Sequence, residues 1–169
     1  MTLLTQPLRD EHQELLPHIA FLRTVADSIG TAKEEAVQQG VAEVYQFLTG
    51  HLLPHAQAEE RVLYPLVGKL MGAPGATATM SRDHTAISQL IEDLGDIRSS
   101  LDRTASGEGQ ESALRRVLYG LSTLVAVHFA KEEEIYLPLL DARLTPEEAR
   151  SLFESMERAA QQARQAREQ

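Results

Sequence analysis

This 169-residue chain has no cysteine and no tryptophan, and aromatic residues make up only 5% of it. Without cysteine, thiolate catalysis, thiolate zinc sites, iron–sulfur ligation and disulfides are all excluded. Basic residues are in deficit as well. Sixteen Lys and Arg against 25 Asp and Glu leave a net charge of −9, with no clustered cations to attract phosphate backbones or anionic lipid. Nucleic acid and membrane are therefore not expected partners. No apolar run approaches the ~18 residues of a membrane span, and the first thirty residues carry acids and histidines where a signal peptide needs a basic start and an apolar stretch. The composition predicts a cytoplasmic location.

What remains is ordinary globular material, 43% hydrophobic and 24% charged, with six histidines as the main source of site chemistry. The length suits a single domain over residues 1–169. Helical periodicity runs almost throughout. In the first segment Leu8, Leu15, Ile19, Leu22, Ala26 and Ile29 form an apolar stripe whose one gap is His12. The second segment, about 33–71, carries Val37, Val41, Val44, Leu48, Val62 and Leu66, with His55 and Glu59 continuing the same face. The third, about 79–102, carries Met80, Ile87, Ile91, Leu94 and Leu101 with His84 in register, and SSLDRTASGEGQ then breaks the pattern. The fourth, about 111–140, carries Leu114, Leu118, Leu121, Val125, Ile135 and Leu139, its gaps filled by His128 and Glu132. Thr145-Pro-Glu-Glu148 announces a fifth helix with a capping box and proline in the first turn. Strand signals are absent.

The economical packing is all-α: an up-and-down four-helix bundle with core about 8–141 and an additional C-terminal helix, about 146–166, lying outside it and fraying beyond about 164. Pro17 and Pro54, both in the tetrapeptide LLPH, are expected to kink their helices, each by removing one backbone hydrogen bond.

Helices two and four share a repeat. His55-AQA-Glu59-Glu60-RVLY-Pro65 stands beside His128-FAK-Glu132-Glu133-EIYL-Pro138, giving H-x3-E-E-x4-P twice. An i, i+4 pair projects from one helix face, so each repeat offers an imidazole and a carboxylate to a common centre. A carboxylate on a core stripe costs several kcal/mol unless it is paired or bound to metal. No in-register Lys or Arg is available to neutralise Glu59 and Glu132. Two glutamates and four histidines without cations make a poor core and a good metal site. Glu60, Glu133 and Glu134 fall off the stripe and read as solvated acids; Tyr64 and Tyr136 read as core residues.

With imidazole and carboxylate donors and no thiolate, iron is favoured, manganese or zinc being the alternatives. Six donors exceed one tetrahedral zinc and suit two ions. Arg9, Leu15, Leu48, Leu52, Ser81 and Val125 stand three residues before the six histidines, so the Glu-x-x-His of ferritin-type di-iron bundles is missing. The H-E-x-x-H signature of zinc proteases is missing too.

The order His12, His55-x3-Glu59, His84, His128-x3-Glu132, with Asp10-Glu-His12, Leu53-Pro-His55 and Arg82-Asp-His84 as flanks, resembles the hemerythrin-like, or HHE cation-binding, family over about residues 8–141. The resemblance implies a four-helix bundle holding two irons, oxo- or hydroxo-bridged, with an open coordination position for a small molecule. It makes Glu59 and Glu132 the bridging carboxylates, and assigns His12 and His55 to one iron and His84 and His128 to the other. The oxygen-carrying members have His-x3-His on the third helix, whereas position 88 here is Ser. One iron then has an additional open position, or borrows a ligand such as His51 or a tyrosine; His18 is off the stripe. This departure favours redox turnover or sensing over simple carriage. The expected function is binding of O2, peroxide or NO, with catalase-like disproportionation of H2O2. The alternative is an iron or oxygen sensor without turnover, read by a protein partner through the fifth helix or the 99–110 loop.

Overall fold

The computed structural model describes residues 3–101 and 107–167, which form five helices with no strand among them. Helix α1 is Gln6–Ser28. Helix α2, residues 34–70, alternates α-helical stretches Glu34–Phe47, Leu53–Ala58 and Tyr64–Leu70 with π-helical turns Leu48–Leu52 and Glu59–Leu63. Helix α3 is Ala78–Leu101. Helix α4, residues 108–143, consists of Glu108–Lys131 and Leu137–Arg143 on either side of a π-helical turn, Glu132–Tyr136. Helix α5 is Pro146–Gln165.

Helices α1 and α3 each pack against both α2 and α4, which closes the four into a ring of antiparallel neighbours. Gly30 (φ 76°) and Gly72 (φ 64°) end α1 and α2 in the left-handed region, where a side chain would be strained. The expected break at 99–110 is shorter than its composition suggests. Ser99, Ser100 and Leu101 still belong to α3, and α4 starts at Glu108; residues 102–106 of that loop lie outside the described residues. Helix α5 begins as predicted: the Thr145 hydroxyl accepts from the Glu148 amide at 3.3 Å, and the Glu148 carboxylate accepts from the Thr145 amide at 2.8 Å. Through Leu152, Met156, Ala159 and Ala160 it covers the 53–63 part of α2. No described helix is long and apolar enough to cross a membrane.

The heptad reading needs one correction. Downstream of the metal-type motif it assigns Val62, Leu66, Ile135 and Leu139 to the core stripe. The buried residues are instead Leu63, Val67, Tyr136 and Leu140, one position later in every case, and Ile135 is 55% exposed. The cause is the pair of π-helical turns that start at Glu59 and Glu132. A π turn holds an additional residue, so everything beyond it is rephased by one. Proline explains the placement. Pro54, Pro65 and Pro138 each lie four residues beyond the middle residue of a π turn (Gly50, Arg61, Glu134), and proline both lacks an N–H and collides with the i−4 carbonyl. The bond lost at Pro54 is thus absorbed by a change of helix type. Helix α1 runs unbroken through the exposed Pro17.

Two apolar clusters result. One contains Leu15, Leu22, Val44, Leu48, Ile87, Leu94, Leu118 and Phe129; the other contains Leu8, Leu63, Val67, Met80, Leu137 and the inner face of α5. Along every helix of the bundle, the histidine or His–Glu motif falls between the two.

Candidate metal centre

That intervening layer contains His12, His55, Glu59, His84, His128 and Glu132, all buried, with both glutamates at 0% exposure. The i, i+4 spacing places His55 beside Glu59 and His128 beside Glu132, while α1 and α3 each add one imidazole. All four Nε2 atoms face inward. His55 Nε2 lies 3.0 Å and His12 Nε2 lies 3.9 Å from Glu59 Oε1, whereas His84 Nε2 lies 3.2 Å from Glu59 Oε2. Glu132 is divided in the same way: Oε2 is 3.5 Å from His12 Nε2, and Oε1 is 3.6 Å from His128 Nε2. Each carboxylate therefore turns one oxygen to the His12/His55 side and the other to the His84/His128 side. Two sets of donor atoms are close enough for an ion each, His12–His55–Glu59–Glu132 and Glu59–His84–His128, with Glu59 common to both.

These atoms have few other partners. The Nε2 atoms of His12 and His55, both Glu59 oxygens and Glu132 Oε2 are buried without a hydrogen bond, since their close approaches are not aligned for one. Five orphaned polar atoms converging on one space would cost about 1–3 kcal/mol apiece in a finished core. A divalent cation in each donor set would satisfy them, so the residues fit metal.

The protonation states follow from the same crowding. Burial disfavours charge on both glutamates, but the His55 charge and the neighbouring imidazoles outweigh it at Glu59, whose pKa falls well below the usual carboxylate range. At Glu132, burial and the nearby Glu59 charge act together and push the pKa well up. Burial opposes the charged form of His55 and His84 too, yet Glu59, aided by Glu11 at His55 and Glu60 at His84, raises both. His128 goes the other way, to about 4, because burial dominates. Without metal, charge is thus favoured on His55, His84 and Glu59 and disfavoured on Glu132 and His128.

A seventh residue reaches the layer. Tyr64 is buried, as expected of a core residue, but its hydroxyl donates to Glu132 Oε1 at 2.7 Å and lies 3.2 Å from His128 Nε2 and 3.4 Å from His84 Nε2. Burial and the Glu59 charge push its pKa far up, so the hydroxyl keeps its proton. Tyr136, which looks equivalent in the repeat, sends its hydroxyl to the Ala76 carbonyl at 3.2 Å instead. The two tyrosines differ by one place relative to Pro65 and Pro138, and beyond a π turn one place decides which face a side chain takes.

Glu60 and Glu133 need correcting as solvated acids. Glu60 Oε1 lies 2.8 Å from His84 Nδ1 and Glu133 Oε1 lies 3.2 Å from His12 Nδ1. Glu134 is exposed. His18 and His51 are exposed and flank Phe47, with ring centroids 4.5 and 6.0 Å from it; neither joins a donor cluster among the described residues. Phe129 lies flat on His12, 4.2 Å between centroids, and closes that side of the layer. On the other side Ser88 lines a groove of about 250 Å³ that reaches His84.

A helical bundle with a buried layer of four imidazoles and two shared carboxylates defines a cation-binding bundle protein. The comparisons agree: the hemerythrin HHE cation binding domain matches residues 3–140, and matches again over 77–168. The chain belongs to that family. It is also similar to iron-sulfur cluster repair proteins YtfE, at 32% identity with that of Cronobacter sakazakii (49% of this chain, 38% of the relative). With those of Enterobacter sp. strain 638 and Musicola paradisiaca it shares 24% identity (76% and 80% of this chain, 59% and 61% of the relatives). The chain thus spans less than two thirds of the length of these relatives. No solved structure matches it significantly.

Proposed function

We propose that this protein holds two iron ions and uses them on O2, H2O2 or NO, with conversion of two H2O2 to two H2O and O2 as the first activity to assay. The observation that carries the reading is the division of both carboxylates between two histidine pairs, with orphaned donor atoms facing one space. His12 and His55 would hold one ion and His84 and His128 the other, with Glu59 and Glu132 spanning the two. Iron so held supplies reversible redox chemistry toward small oxygen and nitrogen species.

The chain's own residues do the rest. Tyr64 keeps a proton on its hydroxyl within hydrogen-bond reach of Glu132, beside the His84/His128 pair. Phe129 and the two apolar clusters keep bulk water from the His12 side. The small side chain of Ser88, in place of a further imidazole, leaves a path toward His84 that a diatomic molecule or peroxide can take.

A second reading follows the relatives, which are named for iron-sulfur cluster repair: the same centre serves iron chemistry on another protein, or senses iron or oxygen, without turning peroxide over. Iron per chain, measured beside Glu59→Ala and Glu132→Ala, tests the centre; two irons should fall to one or none. Peroxide consumption above that of equal free iron supports turnover, and its absence in the two-iron protein leaves the second reading. One zinc per chain, unchanged by either substitution, overturns both.

A further inference from the structure

Each of the four layer histidines has a carboxylate behind it, on the nitrogen that faces away from the centre. His55 Nδ1 lies 3.0 Å from Glu11, His84 Nδ1 lies 2.8 Å from Glu60, His128 Nδ1 lies 3.2 Å from Asp83, and His12 Nδ1 lies 3.2 Å from Glu133. No acid serves a histidine of its own helix. The α1 acid serves α2, the α2 acid serves α3, the α3 acid serves α4, and the α4 acid serves α1, so the contacts run once round the bundle and close.

The sequence positions have a geometric reason. Each acid is the chain neighbour of a layer residue: Glu11 precedes His12, Asp83 precedes His84, Glu60 follows Glu59 and Glu133 follows Glu132. A step of one residue turns a side chain about 100° round the helix axis, close to the right angle that points at the next helix of a four-helix ring. Antiparallel neighbours reverse the sense of that turn for a fixed viewpoint. Stepping back by one on α1 and α3, and forward by one on α2 and α4, therefore turns all four acids the same way. The acids are themselves held: Glu133 by Arg9 at 3.9 Å, Glu60 by the Ser81 hydroxyl at 2.9 Å, Asp83 by Lys131. Glu11, at 48% exposure, is the loosest.

We propose that Glu11, Glu60, Asp83 and Glu133 are a closed ring of positioning residues for the metal pair, an inference that rests on the two-iron reading above. Each acid accepts the Nδ1–H of its histidine, which fixes the ring plane and leaves the Nε2 lone pair aimed at the metal. The ring also sorts the acids by metal position against their order in the chain. Glu60, bonded in sequence to the shared Glu59, tunes the His84/His128 position alone, and Glu133, next to Glu132, tunes the His12/His55 position alone.

The test is titration of the metal-free chain with Co(II), followed in the visible spectrum, with imidazole 15N NMR on the same samples. Wild type should take up two equivalents, with Nδ1–H on all four layer histidines. Glu133→Gln and Glu60→Gln should each weaken one equivalent by about 10–100-fold and leave the other in place. The NMR change should fall on His12 for the first variant and on His84 for the second. The double variant should weaken both equivalents, Glu60→Asp should recover part of the loss, and the exposed neighbour variant Glu134→Gln should match wild type. Unchanged binding in both single variants, or equal weakening of both equivalents together with lower melting of the metal-free protein, overturns the ring. Fewer than two equivalents in wild type overturns the two-metal reading instead. In that case the metal-free NMR still decides the ring, which stands only if all four layer histidines carry Nδ1–H.

Discussion

The bundle's interior is built in two ways that burial alone does not distinguish. Leu22, Leu94, Leu118 and Leu121 are at 0% exposure and belong to one cluster of apolar side chains. About three turns away along the bundle, Glu59, Glu132 and His12 are equally buried, yet both Glu59 oxygens, Glu132 Oε2 and His12 Nε2 lack hydrogen-bond partners. The first region is stable as it stands, because close packing satisfies carbon from any direction. The second is complete only when something else fills it. A buried position can therefore be a source of stability or a debt on it, according to what its atoms require.

The largest expected effect separates the two regions directly. Iron at a thousand times its Kd should stabilise the folded chain by about 4 kcal/mol per ion, through binding to the native state alone. Denaturant unfolding with and without chelator measures this, and Glu59→Ala should remove at least one ion's share of the increment. An increment left unchanged by Glu59→Ala would place the metal elsewhere. Next in size, Leu118→Ala should cost about 2–5 kcal/mol through loss of burial and the cavity left behind. That cost should be the same with and without iron; a cost that changes with iron would mean the regions are not separable.

A smaller effect tests the boundary between them. Tyr64→Phe removes the donor to Glu132 Oε1 and should cost the metal-free protein about 1–3 kcal/mol, more than Tyr136→Phe, whose lost partner is a single backbone carbonyl. Equal costs would remove Tyr64 from the polar layer.

The smallest effect is one of sign. His55 and His84 have raised pKa values in the metal-free fold, so the stability they lend is complete below about pH 6.5 and is lost as pH climbs through those raised values. Glu132, also raised, acts in the same direction. His128, lowered to about 4, is neutral in both states above pH 6.5 and adds no slope there. Metal-free protein should therefore lose stability from pH 6.5 upward. Iron-loaded protein should gain it through pH 5–7, as ligands shed the protons that compete with metal. Thermal unfolding across pH with and without iron reads both slopes; parallel slopes would contradict the assignment of these residues to the metal.

Much of this was legible in the sequence because long helical periodicity survives single polar interruptions. Helix order, the Thr145 capping box and the six in-register donors can all be read by counting sevens and fours. The count slips after Glu59 and Glu132, where a π turn adds a residue, so the fully buried stripe moves one place past Val62, Leu66, Ile135 and Leu139; Ile135 is left exposed while the other three stay half-buried against the core. The signal was present in Pro65 and Pro138, prolines inside an otherwise helical pattern. Tyr64 was hidden by the same slip. Glu60 and Glu133 were visible beside the ligands, but where an off-stripe acid points depends on the neighbouring helix, and one helix's periodicity carries no information about its neighbour.

The π turns also divide the molecule. In a continuous α-helix the direction of every side chain is set by its distance in sequence from any other, so a change of phase at one end propagates to the far end. Here removing one residue between Glu59 and Leu63 would leave a helix, but would swing Tyr64, Val67 and the rest of that stretch about 100° off their present faces. Helices α2 and α4 both change phase at the metal layer, immediately after their glutamates. On these two helices the stretch beyond the layer, part of which packs with α5, is set apart in phase from the His–Glu motif before it, whereas α1 and α3 carry one phase through the layer.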